Sequence, residues 1–215
     1  MEEDTMSQRW LFDDDEDELE DEDDDEEGAK KSNEDPKMME RFLRARTILV
    51  SEPISSTLAR SVYQQLIMLE RDDAKKPITI IVNSPGGEAD AGFGMYDMIR
   101  FVSSPVRTIV AGLCASAGVM VFLAGDRGQR FSLPNSRFLL HQPSSQSWGQ
   151  ASDLEIAARE ILRLRDQYNR IVAEETGRTI EKVTEDADRD FWMSAKEAAE
   201  YGLVTRVVNG RAELD

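Results

Sequence analysis

Fourteen of the fifteen residues from Asp13 to Glu27 are acidic, and no other stretch limits the folding of this chain as severely. Like charges at that density repel one another, and the segment has too little apolar surface to offset the entropy of ordering. Residues 1–40 carry 20 acidic and 4 basic side chains, so nearly all of the net charge of −17 over 215 residues sits at one end and the body is close to neutral. Residues 1–36 are therefore expected to be a disordered acidic tail, with Trp10-Leu11-Phe12 as a lone apolar island. Residues 37–215 have the length of one ordinary domain.

This charge distribution excludes several partners. The tail repels phosphate and anionic lipid, and no basic stripe in the body replaces it, so nucleic acid is not expected to bind. Apolar runs such as Ile78–Val82 and Val119–Ala124 fall far short of the roughly 18–20 residues of a membrane span, so no membrane association is expected. The acidic start lacks the positive and apolar regions of a signal peptide. A single cysteine, Cys114, permits no intrachain disulfide and suits a reducing compartment, giving a cytoplasmic expectation. A single histidine, His141, excludes a multi-histidine metal site and confines imidazole chemistry to one ring.

In the body, strand and helix signals alternate. A short helix carrying Phe42 and Leu43 precedes a strand at Thr47–Val50. Ser55 or Ser56 can cap a helix with Leu58, Val62, Leu66, Ile67 and Leu69 at helical spacing. The β-branched run Pro77–Val82 predicts a strand buried on both faces, ending in a turn at Asn83–Gly87. A helix over about Asp90–Phe101, a strand Val106–Ala111 and a helix Ala117–Ala124 come next, then extended segments Gly128–Ser132 and Arg137–His141. Ser152 with Glu155 predicts a capping box opening a helix to about Glu175, and Ser194 with Glu197 a second, stopped at Gly202. Leu203–Val208 reads as a closing strand. The alternation predicts an α/β domain with a largely parallel sheet.

Three features carry chemistry, each with a plainer alternative. Ser116, among small residues in Gly112–Gly118, sits where a strand passes into a helix, so its hydroxyl meets free N–H groups; most serines there are simply helix caps. The motif is a partial nucleophile elbow, with Cys114 in place of its first glycine. Asn83-Ser84-Pro85-Gly86-Gly87 lets backbone N–H groups approach a ligand, or is a tight turn. His141 ends the apolar run Phe138–Leu140, where a structural histidine is common.

Together these residues resemble the Clp protease proteolytic subunit, a caseinolytic serine peptidase that works with AAA+ unfoldases. The resemblance rests on NSPGG (83–87), ASAG (115–118, where the family usually has ASMG), PNSR (134–137), HQP (141–143), AREIL (158–162), DRD (188–190) and MSAKEAAEYGLV (193–204). It spans about four-fifths of the chain. It implies a crotonase-like spiral of repeated β-β-α units with a protruding handle of long helix and strand. It also implies a Ser-His-Asp triad of Ser116, His141 and Asp190, with an oxyanion hole from the N–H groups of Gly87 and Ala117, and no cofactor in this subunit because ATP is used by the unfoldase. Two stacked heptameric rings enclosing unfolded substrates, with paralogous subunits as further partners, are implied by the same resemblance. So is Arg189 as an inter-ring contact, with Ser144–Gln150 and the following helix, including Trp148, in the contact region.

Two departures stand out. The apolar strand and axial loop expected before Glu40 are replaced by the acidic tail, and Thr79 and Ile81 stand where tyrosines often line the cleft for unfoldase loops. A specialised member of a mixed complex is thus the second reading, and an acyl-CoA enzyme of the related crotonase-like fold a remote third. If the tail modulates access to a chamber, deleting residues 1–36 will change the salt dependence with which acidic and basic peptides are cleaved. Identical salt profiles for the full and shortened chains would refute that role.

Overall fold

The structure is a computed structural model that describes residues 36–144 and 148–214, which belong to one compact unit. The expectation of a disordered tail falls outside the described residues, as do Ser145–Ser147 of the contact loop.

The β-branched run forms the centre of β2 (Ile78–Ser84), which lies parallel between β1 (Thr47–Val50) and β3 (Val106–Ala115). Strand β4 (Arg130–Ser132) pairs with the first half of β3, and β7 (Arg206–Val207) with β4, both parallel. Strand β5 (Arg137–Leu140) pairs parallel with the second half of β3, and β6 (Phe191–Ser194) runs antiparallel to β5. The sheet is thus mixed but largely parallel. Seven α-helices accompany it among the described residues: α1 (Pro36–Arg44), α2 (Ser56–Asp72), α3 (Ala89–Phe101), α4 (Ala117–Leu123), α5 (Ala151–Thr176), α6 (Ile180–Asp186) and α7 (Ala195–Tyr201).

One strand serves two neighbours because β3 changes register. Val82 pairs with Val110 but Ser84 pairs with Cys114, so β3 carries two residues more than β2 over that interval. Gly112 absorbs the excess at φ +115°, and the Leu113 N–H donates to Asn83 Oδ1 at 2.9 Å. A Cβ at Gly112 would lie 2.6 Å from that same oxygen. Such bulges bend a strand and re-aim the side chains beyond the bend.

Helices α2, α3 and α4 cover one face of the sheet. Helix α2 buries Leu58, Val62, Leu66 and Leu69, capped by Ser55 Oγ accepting the Leu58 N–H, while Ile67 turns outward. Residues of α4 are buried on every side. The expected two-sided burial of β2 is corrected: Ile78, Ile80 and Val82 are buried, but Thr79 and Ile81 are only half-covered and Asn83 is exposed. The reason is that, among the described residues, the second face carries no helical layer there, only a small cluster of Ile109, Phe131 and Val208 flanked by Arg107 and Arg206 stacked on Phe131.

Other boundaries also differ. Helix α5 begins after Gln150, with no side-chain cap, and Ser152 lies inside its first turn, so the box with Glu155 does not form. The box at Ser194 and Glu197 does, and Gly202 ends α7 at φ +101°. Helix α6, capped by Thr179, and strand β6 are additional elements too short to give a periodic signal.

The last turn of α5 is fastened by a buried ion cluster. Glu175 accepts hydrogen bonds from Arg130, from Arg127 at 3.2 Å and from the Tyr96 hydroxyl at 2.9 Å, with Arg100 at 3.7 Å, tying α5 to α3 and β4. Burial disfavours the Glu175 carboxylate, but these donors, led by Arg130, more than compensate and hold its pKa below the ordinary glutamate range. Replacing Glu175 with Ala strands buried Arg130 and is expected to cost about 3–5 kcal/mol, measured by chemical denaturation. Because folding lowers this pKa, the stabilisation is complete above the ordinary glutamate range and is lost as pH falls through the folded-state value. The stability difference between Glu175→Ala and the parent should therefore shrink on acidification.

Candidate active site

The sheet register brings together residues far apart in the chain. Ala115 pairs with Leu139 and the Ser116 N–H donates to the Leu139 carbonyl at 3.0 Å, so His141 lies two residues beyond Leu139, close to Ser116. Leu140 pairs with Phe191, which places Asp190 next to His141. On the other side of β3, pairing of Ser84 with Cys114 sets Pro85-Gly86-Gly87 against Ala115–Ala117.

Ser116 occupies the N-cap of α4 at φ +53°, ψ −124°, a region costly for a residue with a side chain, yet its hydroxyl caps nothing. The helix-cap alternative therefore does not describe it. The backbone is held from three sides: its N–H by Leu139, its carbonyl by the Val119 N–H at 2.9 Å and by the Tyr168 hydroxyl at 3.5 Å. Tyr168 is buried, and that burial raises its pKa and keeps the phenol a donor.

The glycine pair fits against this turn. Gly86 has φ +92°, and a Cβ on it would lie 2.6 Å from Ser116 Cβ and 2.8 Å from the Ala115 carbonyl oxygen. Gly87 has φ +151°, and a Cβ there would meet the Ile54 carbonyl oxygen at 2.2 Å. Ile54 bonds on both sides of Gly87, donating to Gly86 O at 2.8 Å and accepting from Glu88 N–H at 2.9 Å. The N–H groups of Gly87 and Ala117 have no acceptor among the described residues, and both residues line one cavity of about 570 Å³ with Ser116 and His141. Phe93, Met120, Ile161 and Leu164 form its apolar floor.

His141 Nδ1 stands 3.9 Å from Asp190 Oδ1, an ion-pair distance too long for a hydrogen bond, and the Asp190 side chain is 66% exposed. No hydrogen bond joins His141 to Ser116 in this isolated chain. The loop before Asp190 is nonetheless pinned beside the histidine. Gln142 donates its N–H to Ala187 O and its side-chain amide to Asp188 O, both at 2.8 Å. A hydroxyl on a strained turn, an imidazole facing the same cavity and two unbonded N–H groups are the parts needed for acyl transfer.

A family model described as Clp protease matches residues 30–211. This chain belongs to the Clp protease family. The ATP-dependent Clp protease proteolytic subunit 2 of Treponema denticola is 44% identical over 184 residues, covering 86% of this chain and 92% of that protein. The protein of the same description from Treponema pallidum is 46% identical over 186 residues, covering 86% and 94%. Proteolytic subunit 3 of Rhizobium etli is 45% identical over 171 residues, covering 80% and 88%. A solved structure of a ClpP1 mutant from Listeria monocytogenes superposes with a TM-score of 0.77 at 40% identity, covering 83% of this chain and 99% of that one.

Membership in the Clp protease family sets aside the acyl-CoA enzyme alternative. It also sharpens the roles of the neighbours. Cys114 is fully buried, and desolvation raises its thiol pKa, so it is a core residue and not a competing nucleophile. Arg189 is exposed and forms no ion pair among the described residues, and Trp148 is 88% exposed. Motif reading assigns no role to Gly112, Gln142 or Tyr168, which position the site: Gly112 lies just past the expected end of its strand at Ala111, Gln142 is only the middle of the HQP motif, and Tyr168 carries no signal. No helix among the described residues is long and apolar enough to cross a membrane.

Gly86→Ala places a methyl group against the Ser116 turn at an unfavourable φ. The expected outcome is a loss of about 1–3 kcal/mol in denaturation with displacement of Ser116. A variant as stable as the parent would show that the turn relaxes freely.

Proposed function

We propose that this chain is a serine endopeptidase, the proteolytic subunit of an ATP-dependent Clp-type protease, cleaving unfolded polypeptides to short peptides by Ser-His-Asp acyl transfer. The observation that carries the proposal is Ser116: its backbone is strained, its hydroxyl is unused as a cap, and it shares a cavity with His141 and two free N–H groups.

Ser116 Oγ attacks the substrate carbonyl carbon while His141 accepts its proton, because a neutral hydroxyl is a weak nucleophile. The carbonyl oxygen becomes an anion, which the N–H groups of Gly87 and Ala117 stabilise by about 2.7–4 kcal/mol per donor. Main-chain donation survives the alanine at the position where methionine is usual. The intermediate collapses, the amine leaves with the proton from His141, and water repeats the sequence on the acyl-enzyme. Asp190 holds the imidazole tautomer and stabilises the imidazolium.

The geometry of the isolated chain supports a role for assembly in completing the triad. Asp190 must close the 3.9 Å gap, and it is followed by β6 and preceded by exposed Arg189, which has no ion pair among the described residues. In this reading two heptameric rings stack into a closed chamber, Arg189 pairs across the ring contact, and the 26-residue α5 with its preceding loop is the handle projecting from a crotonase-like spiral. Its outward Leu154, Ile156 and Leu162 supply apolar surface for such a contact. The active site needs no cofactor; an AAA+ Clp unfoldase consumes ATP and delivers substrate, in the cytoplasm.

The acidic run before Glu40 favours a second reading, a specialised or regulatory member of a mixed complex with paralogous Clp subunits and an altered access pore.

A fluorophosphonate probe should label the assembled protein at Ser116. Labelling should vanish in Ser116→Ala and fall about 10⁴-fold in rate in Asp190→Asn, where the wrong tautomer is no longer corrected. A confirmed tetradecamer that takes up no probe would overturn the peptidase reading.

A further inference from the structure

The cavity beside Ser116 has two chemically distinct parts. Its floor is apolar, whereas the only permanently charged side chains lining it among the described residues are Glu88 and Asp90, with no lysine or arginine beside them. Both acids are exposed. They lie one and three residues after Gly87, whose free N–H faces the same cavity. The Glu88 carboxylate accepts the Ser56 N–H at 2.9 Å, which fixes it in place. Asp90, in the first turn of α3, has no hydrogen bond or ion pair among the described residues. Its negative charge is left for whatever enters the cavity.

We propose that Asp90, assisted by Glu88, is a specificity determinant, selecting polypeptide segments in which a large apolar residue at the cleavage position has a lysine or arginine within three residues of it. This rests on the peptidase reading above. A carbonyl held at the Gly87 N–H puts neighbouring substrate residues, spaced by about 3.8 Å per Cα, within reach of a charge one to three residues along the adjacent chain. The apolar floor takes the large side chain, and the rim supplies a cation site. Because both acids are exposed, that attraction acts through solvent and is strongest at low salt.

Asp90 also suits the N-terminus of α3 electrostatically, a structural role that would act on all substrates alike. The test is therefore a ratio. Assembled full-length protein is given fluorogenic peptides with leucine at the cleavage position and either lysine or glutamate scanned through the three positions on each side. At low salt, kcat/KM should favour lysine over glutamate by about tenfold at one or two of these positions, and the preference should shrink as salt rises. Asp90→Asn should reduce that ratio about threefold, and Asp90→Asn with Glu88→Gln should abolish its dependence on position. A general attraction of the acidic tail for cations would survive in both variants and be the same at every position. Equal rates for lysine and glutamate at all positions, or a positional preference unchanged in the double variant, would overturn the proposal. Both kcat/KM values falling together in Asp90→Asn would assign it the structural role instead. If no peptide is cleaved and the fluorophosphonate does not react, the peptidase reading itself fails and takes this one with it.

Discussion

The register change in β3 is the constraint on which the site depends. Two extra residues at Gly112 let one strand finish its pairing with β4 and begin pairing with β5, and they turn the end of β3 toward the chain that carries His141. Without them Ser84 would not face Cys114, and the glycine pair would not meet the Ser116 turn. Two side chains hold the device: Asn83 Oδ1 takes the Leu113 N–H and occupies the volume a Cβ at Gly112 would need, and the Ser136 hydroxyl accepts the Gly112 N–H at 3.2 Å while donating to the Val110 carbonyl at 3.0 Å. Strand register has a period of two, so a one-residue offset error here would move every downstream side chain to the wrong face.

Much of this was legible in the sequence, for identifiable reasons. Strands such as β1 and β2 declare themselves because β-branched residues are concentrated in them, and α2 because Leu58, Val62, Leu66 and Leu69 repeat at the helical period. Helix α7 is marked at both ends, by the Ser194 box and by Gly202. The false capping box at Ser152 shows the limit of such signals: the loop geometry at Gly149, φ +148°, starts α5 before the serine can act. The one-sided burial of β2 was illegible because Ile81 has the same side chain whether or not a helix covers it. Whether the second face is covered depends on connections made elsewhere in the chain.

The site divides the same way. Ser116, His141 and Asp190 were marked by family motifs, and the structure brings all three to one end of the sheet through pairing that no motif states. What local sequence did not reveal was whether Ser116 caps α4; a positive φ with an unused hydroxyl answers that, and it arises from contacts with Leu139, Tyr168 and Gly86 spread over the whole body.

Rigidity is unequally distributed among these parts. Gly87, Ser116 and Ala117 are fixed by backbone hydrogen bonds, by glycine contacts with no spare room and by a helix buried on all sides. Asp190 sits at the mouth of a short edge strand with two-thirds of its side chain in water, steadied indirectly through Gln142. Moving the first set would require repacking the core, whereas closing the gap between Asp190 and His141 requires only a shift of about 1 Å to reach hydrogen-bond length. An interaction that orders this loop, worth only a few kcal/mol, would therefore act on the tautomer and orientation of the imidazole while leaving the Gly87 and Ala117 N–H groups untouched. In such an arrangement Ser116 and the N–H groups of Gly87 and Ala117 are placed once, by folding, and the orientation of His141 remains adjustable afterwards.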